Sequence, residues 1–132
     1  MILVDTSVLI AFFKGVNNKQ VEKLEDVIKN GVPFGINVFI YQEVLQGAKS
    51  DREFKLLKEY LSTQRFYDLK YGIKSYEAAA KLYSICRKKG ITIRSTIDLL
   101  IAETAIENNL YLLHDDQDFS FIAEVNKSLK EY

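Results

Sequence analysis

The first fifteen residues, MILVDTSVLIAFFKG (1–15), contain the pattern that decides the fold. The run ILV at 2–4 is short, apolar and rich in β-branched residues, which predicts a buried strand. The polar DTS that follows predicts a loop, and VLIAFFKG predicts a helix that closes at Gly15. A strand that leads through a polar loop into a helix is the repeating unit of α/β domains.

The same alternation continues along the chain. Apolar runs predict further strands at 33–38, 65–69 and 110–113. Helical spacing predicts helices at 17–31, 39–48, 50–64, 74–90 and 95–109, and the segment 119–132 is also expected to be helical. Together these elements predict a three-layer α/β domain, with a mainly parallel, twisted sheet and helices on both faces.

Length and composition set broad limits. With 132 residues, 48% of them hydrophobic, the chain is expected to form one domain spanning 1–132. Its 18 basic and 18 acidic residues exclude the bulk positive charge of many nucleic-acid binders but do not exclude a local basic patch. The single cysteine, Cys86, excludes an internal disulfide and is expected to be a core residue rather than a reactive thiol. MILV lacks the length and flanks of a signal peptide or membrane span, so a cytoplasmic protein without membrane contact is expected.

The stretch LLHDDQDF (112–119) places Asp115, Asp116 and Asp118 directly after a predicted strand. One explanation is a polar turn, because Asp favours turns. The other is a site for a divalent cation. If the chain stays extended here, Asp116 and Asp118 share one face, and Asp115 points to the opposite face with Gln117.

Other acids are predicted to reach the same place. Asp5 follows the strand at 2–4, Asp98 lies in the first turn of the helix that begins near Thr96, and Glu43 comes early in the helix after the second strand. The carboxyl ends of parallel strands share one edge of a sheet, where ligands generally bind. Each acid also has a local explanation as a turn, cap or exposed helix residue. Their common location favours a shared site.

Clustered carboxylates repel one another and need a cation. Arg94 is the one basic residue among these motifs, and the chain has neither the Cys cluster nor the pair of His residues that would suit zinc. Oxygen ligands favour Mg²⁺ or Mn²⁺. Such an ion keeps positions open for phosphate oxygens and lowers the pKa of bound water, so the pattern indicates phosphodiester hydrolysis.

Four motifs occur in a fixed order: VDTSVLI at 4–10, YQEVLQG at 41–47, TIDLLIAETA at 96–105 and LLHDDQDF at 112–119. In combination they resemble the PIN-domain ribonucleases, most closely the VapC-type toxins of toxin–antitoxin pairs, from Met1 to about Phe121. The resemblance implies an acidic catalytic and metal-binding site formed by Asp5, Glu43, Asp98 and Asp116. It also implies supporting roles for Ser7 and Asp118.

The resemblance further implies a Mg²⁺-dependent endoribonuclease in which Mn²⁺ can substitute. Its expected partners are an RNA substrate, a second copy of the chain in a homodimer, and a VapB-type antitoxin whose C-terminal segment covers the acidic site. His114 departs from the family, which often has Thr or Ser there. A histidine beside acids suggests a general base, a role that the family does not need.

Two alternative functions of the chain stay open, as do two explanations of one basic motif. The chain could be a catalytically inactive PIN-like module that binds RNA or protein. It could also be a phosphotransfer domain with Asp5 as nucleophile, although DTS lacks the second Asp of haloacid-dehalogenase-like enzymes. The basic run RKK at 87–89 is explained either as a solvated helix end that complements the helix dipole or as an RNA contact.

Overall fold

The computed structural model describes residues 1–132, which form five strands and seven helices. The strands are β1 Ile2–Val4, β2 Phe34–Ile36, β3 Arg65–Phe66, β4 Tyr111–Leu113 and β5 Lys130–Glu131. The helices are α1 Thr6–Phe13, α2 Lys19–Lys29, α3 Val38–Gln46, α4 Asp51–Leu61, α5 Ile73–Lys88, α6 Thr96–Glu107 and α7 Gln117–Val125. None of these helices is long and apolar enough to cross a membrane.

All five strands are parallel and lie in the order β3-β2-β1-β4-β5. Right-handed crossovers therefore place α1–α4 on one face of the sheet and α5–α7 on the other. Most helix contacts agree, because α1 packs against α2 and α3, α3 packs against α4, and α5, α6 and α7 pack against one another, while α3 also contacts α6. The predicted three-layer α/β architecture is confirmed.

The predicted strand ILV is the central strand of the sheet. Ile2, Leu3 and Val4 are all buried, and β1 pairs with β2 on one side and with β4 on the other. The chain builds the sheet outward from β1 in one direction and then returns to add β4 and β5 in the other. The crevice at the carboxyl ends of β1 and β4 is therefore the topological switch point, the usual ligand position in such sheets.

The prediction that 119–132 is helical is wrong for its second half. Helix α7 ends at Val125, and Lys130 and Glu131 form a strand that pairs with β4. The backbone of Asn126 is extended, and its side chain accepts a hydrogen bond from the Ser128 backbone N–H, which turns the chain back to the sheet. The strand predicted at 65–69 is also shorter, because only residues 65–66 pair.

Side-chain caps fix where several helices begin. Asn18 accepts from the Val21 N–H, and Ser50 accepts from the Glu53 N–H, as their positions before each apolar pattern predict. The predicted core position of Cys86 is also confirmed, since its side chain is fully buried. Burial raises the pKa of this thiol, with a smaller contribution from Asp118, which suits an unreactive residue.

Gly35, at the centre of β2, lies directly under the Tyr67 ring. A Cβ at this position would fall 2.3 Å from the Tyr67 Cε2 atom, which is far inside van der Waals contact. The ring has little freedom to move, because Tyr67 is buried and the Arg65 guanidinium lies 5.0 Å from its centroid.

Gly35→Ala is therefore expected to lower the free energy of unfolding by about 1–3 kcal/mol through overpacking. Gly47→Ala is the matched control, because a Cβ there meets its nearest neighbour at an ordinary 3.4 Å. Urea denaturation of both variants measures the difference. Equal stability of the two variants would contradict the packing argument.

Candidate active site

Two acids follow the strands at the switch point, and two lie on helices that reach the same edge. Asp5 follows β1 and caps α1, whereas Asp116 follows β4 and caps α7. Asp98 lies in the first turn of α6, and Glu43 lies on α3. Burial raises the pKa of Asp98 to about 7, with further contributions from the charges of Asp5, Asp116 and Glu43. Asp5, Asp116 and Glu43 are therefore close enough to Asp98 to affect its pKa.

Asp5 is buried and positioned by Ser7. One Asp5 oxygen, Oδ2, accepts hydrogen bonds from the Ser7 backbone N–H at 3.0 Å and from the Ser7 hydroxyl at 2.6 Å. The same hydroxyl accepts from the Asp115 backbone N–H at 3.0 Å, which connects the loop after β1 to the loop after β4. Burial raises the pKa of Asp5, and the hydrogen bonds from Ser7 oppose this rise. Ser7 thus lies beside Asp5, as the sequence predicts.

Glu43 lies in the middle of α3 rather than near its start, because this helix begins at Val38. The Thr6 hydroxyl donates to Glu43 Oε1 at 2.7 Å and so directs this carboxylate toward the loop after β1. Sequence reasoning did not single out Thr6, although it lies next to Asp5 in the DTS motif.

A hydrogen-bonded bridge connects α3, which contains Glu43, to α6, which contains Asp98. The buried Asn37 side chain accepts from the Ile40 N–H at the start of α3, and its amide donates to Thr104 Oγ1 of α6 at 3.1 Å. Sequence reasoning did not identify this bridge. Its signal is an Asn near the end of the strand predicted at 33–38 and just before the helix predicted at 39–48, since Asn is a favoured N-cap.

The loop after β4 differs from the extended path expected from sequence. Helix α7 begins at Gln117, so the predicted alternation of side chains stops at Asp116. The Asp116 side chain caps this helix by accepting from the Asp118 backbone N–H at 2.9 Å. Asp118 is buried in the first turn, whereas Asp115 is exposed.

Arg94 supplies positive charge at the rim of the cluster. Its Nη2 lies 3.3 Å from Asp116 Oδ1, and its Nε lies 3.2 Å from Asp118 Oδ2. The Arg94 backbone N–H also donates to Asp118 at 3.1 Å. Asp118 therefore anchors the loop between α5 and α6, and this pairing raises the pKa of Arg94. The Arg94 side chain is 74% exposed, so water screens the attraction.

The candidate metal ligands match a hard cation in donor type but are not preassembled around one point. Asp5, Glu43, Asp98 and Asp116 offer only carboxylate oxygens, which suit Mg²⁺ or Mn²⁺. No three acidic side chains lie close enough together to bind one ion directly in this arrangement. The fit therefore depends on donor chemistry and on the raised pKa of Asp98.

His114 has a structural place in this loop. The Asp116 backbone N–H donates to His114 Nδ1 at 3.1 Å, so the ring proton lies on Nε2, which donates to Glu131 Oε1 at 2.8 Å. The Ser120 hydroxyl donates to the same Glu131 oxygen at 2.6 Å. Both ring nitrogens are therefore engaged, and this arrangement gives no support to a general-base role.

The family follows from a comparison with known proteins. The PIN-domain family model matches residues 2–125, almost the whole chain. This chain belongs to the PIN-domain family. Ribonuclease VapC11 of Mycobacterium tuberculosis and VapC ribonuclease Mb1587 of Mycobacterium bovis are each 30% identical to it over 126 residues. These alignments cover 95% of this chain and 93% of each relative, so the chain is a VapC-type PIN domain, as its motifs indicate.

Solved structures show the same fold. A chain of the VapBC2 complex from Rickettsia felis, bound to a DNA fragment from its promoter, superposes with a TM-score of 0.75 at 20% identity. That match covers 100% of this PIN domain and 98% of the other chain. A chain of VapBC-1 from nontypeable Haemophilus influenzae gives a TM-score of 0.71 at 19% identity, with 100% and 97% covered.

The raised pKa of Asp98 predicts how stability depends on pH without added metal. Between about pH 4 and pH 7 the folded state retains a proton that the unfolded state releases, so the free energy of unfolding falls as pH rises through this range. Asp98→Asn is expected to remove this contribution. Between pH 5 and pH 8 in EDTA, the Tm of wild type should fall, and the Tm of Asp98→Asn should fall by a few degrees less.

Glu103 provides the control, because it lies on the same helix and titrates in a similar range. Burial and its hydrogen bond with Glu107 raise its pKa to about 8. Glu103→Gln should also flatten the pH dependence but should leave the contribution of the acidic site unchanged. Parallel Tm curves for wild type and Asp98→Asn would contradict a raised pKa of Asp98 in the folded protein.

Proposed function

We propose that this PIN domain, spanning 1–132, is a Mg²⁺-dependent endoribonuclease and the toxin of a VapBC-type toxin–antitoxin system. The observation that carries the proposal is the acidic edge at the switch point, where the pKa of Asp98 is raised by burial and by the charges of Asp5, Asp116 and Glu43. The VapC ribonucleases support it, since they share 30% identity with nearly the full chain.

The four acids Asp5, Glu43, Asp98 and Asp116 would bind Mg²⁺, or Mn²⁺ in its place. When bound, such an ion supplies an activated water and stabilises charge on the phosphate. The chain itself orients the ligands: Ser7 fixes Asp5, and Thr6 directs Glu43. Asp118 supports the site by fixing Arg94, whose guanidinium lies beside Asp116 at the edge that RNA would approach.

The proposed partners are a VapB-type antitoxin and a second copy of the chain, in the cytoplasm. The solved relatives are chains of VapBC complexes, which supports the antitoxin. Exposed apolar side chains offer contact surface, and they include Phe13, Phe54, Leu56 and Tyr60 on the α1–α4 face. A groove on that face lies between α1, α3 and α4 and includes Ile10, Val44 and Leu57.

The second candidate is a PIN-like module that binds RNA or protein without cleaving. The lack of three converging acids favours it, as does the pairing of Asp116 with Arg94. The presence of all four acidic positions favours the nuclease, because a module that only binds has no need of mutually repelling carboxylates.

Asp5→Asn is expected to lower RNA cleavage on the order of 100-fold or more, since neutralising one ligand weakens metal binding and the associated charge stabilisation. The fold should survive, because Asn is as good an N-cap as Asp. Asp26→Asn on the exposed surface of α2 is the matched control and should retain full activity. Added Mn²⁺ should raise the Tm of wild type but not that of Asp5→Asn. Undiminished cleavage in excess EDTA would exclude the metal-dependent mechanism.

Asp115 and Asp116 in the loop after β4 and Asp118 in the first turn of α7 are expected to contribute unequally. Asp116→Ala should remove most activity, because Asp116 lies at the switch point and caps α7. Asp118→Ala should reduce activity partially, because it releases Arg94, and Asp115→Ala should remain near wild type, because only the Asp115 backbone contacts Ser7. Toxicity on induced expression and cleavage of total RNA by purified protein measure the effects. Equal tolerance of all three changes would indicate a polar turn without catalytic importance.

A further inference from the structure

A cleft outside the acidic cluster opens beside Arg94. It lies between α5, the loop at 89–95 and the start of α6, and its volume is about 520 Å³. Ala80, Ile93 and Leu99 provide apolar surface. The polar lining comes from Tyr83, Ser84, Arg87, Arg94 and Thr96, and it includes no carboxylate.

The cleft combines an aromatic ring with two cations. The Arg87 guanidinium carbon lies 5.7 Å from the Tyr83 ring centroid, so the two side chains form one surface. Arg94 forms the other end of the lining, where it also contacts Asp116. A bound RNA chain that occupies the acidic site and passes Arg94 would therefore enter this cleft directly.

The location of Arg87 bears on the basic run at 87–89. Arg87, Lys88 and Lys89 are all exposed at the end of α5, and an interaction with the helix dipole explains all three equally well. Only Arg87 lines the cleft. The dipole explanation does not account for this difference.

We propose that this cleft binds one nucleotide of a single-stranded RNA, next to the phosphate at the acidic site. The Tyr83 ring stacks on the base, and Arg87 and Arg94 bind backbone phosphate. The hydroxyls of Ser84 and Thr96 offer hydrogen bonds to the sugar or the base edge. The cleft volume suits a small ligand. This inference rests on the proposed function, because it names how that site holds its substrate.

The test measures binding of a fluorescein-labelled single-stranded RNA of mixed sequence by fluorescence anisotropy. It uses the full chain with Asp98→Asn and Mg²⁺, so that the RNA is not cleaved. Arg87→Ala should weaken binding roughly tenfold and lower the salt slope by about 0.7. Lys89→Ala, a charge-matched control outside the cleft, should change binding by less than about twofold. Thermal melts check that each variant is folded.

Tyr83 gives an independent readout. Tyr83→Leu removes the stacking ring and should weaken binding by about tenfold, whereas Tyr83→Phe keeps the ring and should bind like the parent. With the natural Asp98 restored, Arg87→Ala and Tyr83→Leu should raise KM for RNA cleavage more than they lower kcat, because the cleft positions substrate and does not touch the reacting atoms.

Several results would overturn the cleft proposal. Equal losses of RNA affinity for Arg87→Ala and Lys89→Ala would indicate that the basic run is only a solvated helix end. No detectable RNA binding by the parent would also overturn it, as would an Arg87→Ala effect on binding of a purified VapB-type antitoxin but not of RNA. These failures are distinct from failure of the proposed function, which would appear as a wild-type protein that cleaves no RNA with Mg²⁺ or Mn²⁺.

Discussion

The ladder between β1 and β4 ends with the Asp5 backbone N–H donating to the Leu113 carbonyl at 2.9 Å. This pairing places the loop after β1 beside the loop after β4, although more than one hundred residues separate them. Ser7 then connects the two loops through Asp5 and Asp115. Because both loops start helices, the side chains that cap those helices are also the acids at the switch point. Strand pairing, helix capping and the chemistry of the site therefore depend on the same few residues.

The acidic edge is electrostatically unfavourable without a cation. Burial and mutual repulsion raise the pKa of Asp98 to about 7, and burial raises that of Asp5. Arg94 offsets part of this charge through Asp116 and Asp118, but its exposed position limits the effect. A divalent ion between the carboxylates would relieve the repulsion more fully, which links the proposed cofactor to stability as well as to catalysis.

Arg94 connects the acidic site to its surroundings. On one side it contacts the acids, and on the other it lines the cleft that contains Tyr83 and Arg87. In the proposed complex, an RNA strand would cross from carboxylates with a bound cation to a surface of arginine and tyrosine. A chain with zero formal net charge would thereby have a local surface for RNA, which its composition neither shows nor excludes.

The sequence by itself determined the α/β architecture, the burial of the first strand and the positions of the acids after strands and on helices, because hydrophobic periodicity and helix caps are local signals. Only the tertiary structure decided the contacts between distant segments. The pairing with β4 makes Lys130 and Glu131 a strand, because these two residues have no apolar pattern that would predict one. The Thr6 hydroxyl orients the Glu43 carboxylate, and hydrogen bonds with Asp116 and Glu131 hold the His114 ring. Side-chain direction in such cases depends on partners that lie far away in the chain, so no local pattern specifies it.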